Sequence, residues 1–353
     1  MATGEAHSTR PKRNMFESQV FNPSAVTNRR KFVFSIAAAI VLGGTALATR
    51  AQRERRIRRI GYLSLRARAG PLDEEFLAAL RDLGYVEGQN MAIEYRWAAD
   101  NEERLPALAA ELVQANVEVI VTSATPAISA AKGATSTIPI VMQSAADPIG
   151  SGFVTNLARP GGNVTGISIL STELAAKRLQ ILRELVPRSK RTSLLAFDNA
   201  FATPLLLSAM KSAARQLQLD LAVQLVKTDE DLSRAFAGFE KAGAETVIVQ
   251  TSPFAAARRE RITELAARHR LPAMYENRAY VDAGGLVAYG PNGAELVRHS
   301  ALFVDKILKG AKPGDLPIEQ PTKYELTINL KAARALGLAI PQSLLALADA
   351  VIR

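Results

Sequence analysis

The chain has 353 residues, 48% of them apolar, and no cysteine; that length favours two domains over one core, and disulfides, thiol catalysis and cysteine-ligated metals are excluded. The formal charge of +10 would suit nucleic acid, but residues 1–51 hold seven basic and two acidic side chains, residues 52–59 hold five and one, and the remainder holds 32 and 31. The basic excess is therefore a leader and a linker rather than a binding face, and no nucleic-acid partner is expected.

The leader comes first. Asn28-Arg29-Arg30-Lys31 precedes an apolar run from Phe32 to Ala48, with Ala46-Leu47-Ala48 and Thr49-Arg50-Ala51 as small-residue cleavage sites. These are the parts of an export signal over residues 1–51, and the paired arginines resemble a twin-arginine signal. A basic linker, 52–56, follows. The expectation is a periplasmic protein with its signal removed near Ala48 or Ala51. The alternative is a membrane anchor formed by residues 32–48, a run at the short limit for a span.

From Ile57 onward, apolar runs alternate with helical periodicity. Strands are expected at 59–64, 91–97, 117–122, 138–142 and 164–169, with helices at 72–83, 102–115, 126–132 and 173–185 between and after them. A second series places strands at 192–197, 221–226, 246–250, 273–275 and 286–289, with helices at 204–216, 229–242, 253–268 and 294–308. Residues 324–330 read as one more strand, followed by 331–336 and a last short helix after Pro341. Such alternation means βαβ units and parallel sheets, twice over. The fold class is α/β: two Rossmann-like lobes joined by crossover hinge segments. Lobe one takes 57–172 plus about 293–315, and lobe two takes 173–292 plus about 316–353.

One junction recurs. In VIVTSATPAISAAKG (119–133) a β-branched run ends in hydroxyls and passes into a helix, with Thr125 as the expected N-cap and Pro126 in the first turn. Thr203-Pro204 and Ser252-Pro253 repeat the pattern, and Asp147-Pro148 and Gly290-Pro291 also follow strands. Each taken singly is ordinary capping. Together they line the carboxyl edges of both sheets, where α/β proteins bind ligands and where helix starts present free N–H groups to anions. No H-x-x-x-H, nucleophile elbow, P-loop or G-x-G-x-x-G occurs, so neither catalysis, metal nor cofactor is expected. Asp147 and Glu276 are the carboxylates nearest the strand ends. Arg66 and Arg68 in the first strand's loop either favour an acidic ligand or are solvated.

The runs IPIVMQSAADPIGSGFVTNLARPGGNVTG (138–166), ATPAISAAKGAT (124–135), SPFAAARRERITELAARHRLPAMYENRAYVDAGGLVAYGP (252–291) and LPIEQPTKYELTINLKAARALGLAIPQSLLALAD (316–349) resemble a family of ABC-transporter substrate-binding proteins. That resemblance covers about residues 57–353. It implies the fold of type I periplasmic binding proteins, relatives of which bind tryptophan or tyrosine. By position it implies ligand contacts from Ser64, Ser123, Ala124, Thr125, Pro126, Asp147, Asn199, Ser252, Tyr275 and Glu276. The ligand's carboxylate would sit at 124–126 and its ammonium at Asp147 or Glu276. It further implies a monomer that closes on a small polar molecule and docks on an inner-membrane permease. A periplasmic sensor partner and an enzyme on the same scaffold are the alternatives.

Overall fold

The computed structural model describes residues 57–169, 174–197 and 202–353. The expected signal and linker (1–56) and Asn199 lie outside the described residues.

The first sheet has the order β2-β1-β3-β4-β5, all parallel: Arg58–Ser64, Met91–Trp97, Val119–Thr122, Ile140–Ala145 and Val164–Ser168 are β1 to β5. Its strands are apolar on both faces because helices cover both. Along β3, Val119 and Val121 pack with Phe76 and Leu80 of α1 (Pro71–Asp82) and Phe303 and Val304 of α10 (Gly293–Leu308). Ile120, one residue out of phase, packs instead with Leu108 and Leu112 of α2 (Leu105–Gln114) and Ala127 and Ile128 of α3 (Thr125–Ala134).

The second sheet runs β7-β6-β8-β9-β10-β11-β12. Strands β6 (Arg191–Phe197), β7 (Asp220–Val226), β8 (Thr246–Val249), β9 (Ala273–Tyr275) and β10 (Val287–Pro291) are mutually parallel. One face is closed by α4 (Leu174–Leu185) and α5 (Ala202–Gln216), the other by α6 (Asp229–Lys241), α8 (Arg259–Arg268) and α9 (Arg278–Asp282). The sheet is not wholly parallel, however. β11 (Tyr324–Asn329) pairs antiparallel with β10, and β12 (Ala350–Ile352) adds to it in parallel. The cause is chain path: β10 carries the chain out toward α10 on the first sheet, and β11 brings it back alongside.

Three local departures from the sequence reading have physical reasons. The helix expected over 253–268 breaks at Arg258 (φ −118°, ψ 20°) into α7 (Pro253–Ala257) and α8. Arg258 turns there to clamp Asp229 bidentately at 2.7 and 2.9 Å. α9, five residues long, and β12, three residues long, carry too little periodicity to be read from sequence. After α11 (Leu330–Leu336), the helix following Pro341 forms as α12 (Gln342–Leu347). Among the described residues no helix is long and apolar enough to cross a membrane.

Candidate functional site

In a sheet of this order the crevice opens where the strand order reverses. That point lies between β1 and β3 in the first sheet and between β6 and β8 in the second. The expected residues cluster at these carboxyl edges, but they are not equally available.

At the end of β1, Ser64 is 5% exposed. Its Oγ accepts from the backbone N–H and Nε of Arg66 at 3.3 and 3.4 Å. Arg66 in turn donates to Asp73 Oδ1 at 2.6 Å, and its guanidinium lies over Trp97. Asp73 Oδ2 also accepts from the Gly70 N–H. The arginine offered as an anion site is thus bound to its own loop, and Ser64 serves that loop.

At the end of β3 the helix start differs from the expected one. The N-cap is Ala124, and Thr125 falls inside the first turn, 4% exposed. Ala124 takes φ 67° and ψ 143°, a conformation rare for any residue with a Cβ. That turn lets the Ala124 N–H donate to the Ser144 carbonyl on β4 at 3.3 Å. No side chain caps α3. Its positive end is therefore left toward the crevice edge, beside the end of β4. Thr122 Oγ1 at the end of β3 and Ser168 Oγ at the end of β5 are buried and find no partner among the described residues. Asp147, three residues past Ser144, opens a turn rather than a helix; its Oδ1 accepts from the Gly150 N–H at 2.8 Å.

On the second sheet, Ser252 caps α7 as expected, accepting from the Ala255 N–H at 3.0 Å. Tyr275 does not reach the crevice. It is fully buried and stacked on Tyr280 with centroids 4.9 Å apart, because β9 lies between β8 and β10 with helices over it. Nor is the Glu276 carboxylate free: Oε1 accepts from Arg178 Nη1 at 2.8 Å and Oε2 from the Thr251 N–H at 2.9 Å. An ammonium acceptor there would compete with a guanidinium already in place. Gly290-Pro291 ends β10, and the following helix starts only at Gly293, capped by Asn292.

Two residues were missed. Arg178 is 2% exposed, and burial lowers its pKa while the Glu276 carboxylate opposes that shift. Its signal was present: it occupies the apolar stripe of α4 between Leu174, Ala175, Ile181, Leu182 and Leu185. Asn292 lies at the fork where the chain leaves β10 and returns through 319–323. A cavity of about 290 Å³ fills that fork, walled by Asn292, Leu296, His299, Glu319 and Pro321 over Ile167. His299 Nε2 and Glu319 Oε2, 2.6 Å apart, bridge its two arms.

Two doubly wound sheets with polar helix starts on their carboxyl edges, linked by antiparallel crossovers, define a two-lobed binding fold of the type I periplasmic binding protein class. A sequence model of the family described as ABC transporter substrate binding protein matches residues 72–352, and the chain belongs to that family. It is similar to a "Tyrosine-binding protein" of Clostridioides difficile (strain R20291), 24% identical over 264 residues, covering 74% of this chain and 75% of that protein. A conserved domain protein from Vibrio cholerae superposes with a TM-score of 0.79 at 27% identity, covering 84% of this chain and all of that one. An ABC domain from Streptococcus pneumonia in complex with L-Trp superposes with a TM-score of 0.76 at 23% identity, with the same coverage.

Proposed function

We propose that this protein is the exported receptor of an ABC importer, that it captures an aromatic amino acid or related small carboxylate between its lobes, and that it hands the ligand to an inner-membrane permease. The observation that carries this reading is the uncapped start of α3, held open by the strained Ala124, with N–H groups suited to a carboxylate. Ser123, Thr125 and Pro126 adjoin it in sequence; Asp147, which follows the β4 strand that pairs with Ala124 through Ser144, is the candidate ammonium acceptor, and Ser252 at the start of α7 is the candidate contact from the second sheet. The names of the tyrosine-binding and L-Trp-bound relatives support the ligand class. The leader at 1–51 supports export to the periplasm.

The lobes in this reading are 57–172 with about 293–315 and 173–292 with about 316–353. Ligand bridges the two and shifts an open population toward a closed one by its preference for the closed form. The test is calorimetric titration of the purified protein with a panel of amino acids and small carboxylates. Saturable heat from L-tyrosine or L-tryptophan is expected; a silent panel overturns the reading. Fractionation of cells expressing the full chain checks the location, and retention in the cytoplasm overturns export.

A further inference from the structure

Arg178 is among the largest fully buried side chains of the molecule. A guanidinium out of water must have its donors met. Nη1 donates to Glu276 Oε1 at 2.8 Å, and Nε donates to the Tyr289 carbonyl at 2.9 Å. Glu276 Oε2 extends the chain of bonds to the Thr251 N–H. One buried cation on α4 thereby fixes the carboxyl ends of β8, β9 and β10, three neighbours in the sheet. The packing is direct: a Cβ on Gly290 would lie 1.8 Å from the Glu276 carbonyl oxygen and 3.6 Å from Arg178 Nη2.

The same elements lead to a crossover between the two sheets: Tyr289 lies two residues before Pro291, where β10 ends and the chain passes to α10. A buried ion pair adds little net stability over an apolar pair of the same volume. What it supplies here is fixed geometry between helix, strand ends and crossover roots.

We propose that Arg178 is a positioning residue for ligand binding. It holds the edge formed by Thr251, Ser252, Glu276 and Tyr289 in register with the crossover that leaves β10, so affinity depends on a side chain the ligand never touches. The proposal rests on the reading that ligand binds at that edge, and it assigns Glu276 to Arg178 rather than to the ligand.

The test uses the full chain. Arg178→Met alone strands the Glu276 charge, so the informative variant is Arg178→Met with Glu276→Gln, which removes both charges together. Hydrogen exchange is followed by mass spectrometry in peptides covering 250–252, 276–277 and 289–291. L-tryptophan and L-tyrosine affinities are measured by calorimetry. The double variant is expected to melt close to the wild type, to exchange faster in those three segments and not in the first lobe, and to bind at least tenfold more weakly. Arg178→Lys, which keeps the ion pair but cannot also reach the Tyr289 carbonyl, is expected to restore part of both. Wild-type exchange in the three segments overturns the positioning role, and faster exchange with unchanged affinity overturns its link to binding. If the wild type binds neither amino acid, the ligand class proposed above fails, while the exchange measurement still decides on Arg178.

Discussion

Asn292 and Glu325 tie the two lobes through one side-chain amide: Asn292 Nδ2 donates to Glu325 Oε1 at 2.6 Å on β11, while its Oδ1 accepts from the Glu295 N–H at the start of α10. The helix so capped packs on the first sheet, and β11 belongs to the second. The backbone repeats the theme, with Pro291 paired to Tyr324 just before the arms separate. Asn292→Ala should lose the cap, about 1 kcal/mol in chemical denaturation. Asn292→Asp keeps a capping oxygen but sets two carboxylates against each other across the fork. Its radius of gyration in small-angle scattering at pH 7 should exceed the wild type's; an unchanged radius refutes the clasp.

Ala124 stores strain. A residue with a Cβ at φ 67° and ψ 143° costs on the order of 1–3 kcal/mol, whereas glycine adopts positive φ freely but loses more chain entropy on folding. The two effects oppose, so Ala124→Gly should be neutral to mildly stabilising, by about 1 kcal/mol at most. Ala124→Val, whose branched Cβ suits that conformation least, should destabilise. Urea midpoints of the two variants check the sign. A stabilising valine would mean that the turn is not held as described.

Gly290 is required by space rather than by φ. The Cβ of Gly290→Ala would meet the Glu276 carbonyl oxygen, backbone that cannot swing aside. Overpacking of this kind costs about 1–3 kcal/mol, and here the upper end is expected, because the clash is with main chain. The variant should melt below the wild type and also lose protection at 276–277. Gly133→Ala, where nothing lies within 4 Å of the added methyl and the residue sits in the last turn of α3, is the matched control and should be neutral to stabilising.

The Asp229–Arg258 clamp makes stability depend on pH in one direction. Hydrogen bonding to Arg258 and the charges of Arg258 and Arg261 hold the Asp229 carboxyl below its ordinary value, against a smaller desolvation effect. A depressed carboxylate stabilises fully above its unfolded pKa, near 3.9, and its contribution vanishes as pH falls through the lower folded value. Asp229 is 42% exposed, so solvent screening keeps the effect below about 1 kcal/mol. Asp229→Asn should therefore lower the melting temperature slightly at pH 7 and leave it level with the wild type near pH 2. A difference that grows toward acid would contradict the assignment.

The sequence disclosed the scaffold well because its signals are local. β3 reads as a β-branched run, Val-Ile-Val-Thr, between turns, and the periodic stripes of α1, α3 and α10 match the faces they bury. The site was less legible, for three distinct reasons. Thr125 looked like the cap, since hydroxyl residues favour that position, but the backbone turns one residue earlier at an alanine that no propensity would choose. Tyr275 entered as a ligand contact only through the family resemblance; a three-residue strand inside a covered sheet buries it completely. Glu276 looked like a free carboxylate because its partner lies 98 residues away on α4, a separation that no local pattern spans. Arg178 alone offered a clue, as a charge placed within an apolar stripe.

The ligand edge itself yields the last prediction. If a carboxylate seats against the uncapped start of α3, the Ser123 hydroxyl adds a donor without holding the core, since its side chain is half-buried and not part of the cap. Ser123→Ala should leave the unliganded melting temperature unchanged. Ligand at 100 times its dissociation constant stabilises by about 2.7 kcal/mol, which for a chain this size raises melting by about 5 °C. The variant loses one hydrogen bond to a charged group, about 1.5–3 kcal/mol, and so at least a tenfold share of its affinity. At the same ligand concentration its melting rise should shrink by at least half. Thr125→Val, by contrast, alters a buried first-turn residue and should lower the unliganded melting temperature as well. Equal ligand shifts in wild type and Ser123→Ala would move the carboxylate site away from this helix start.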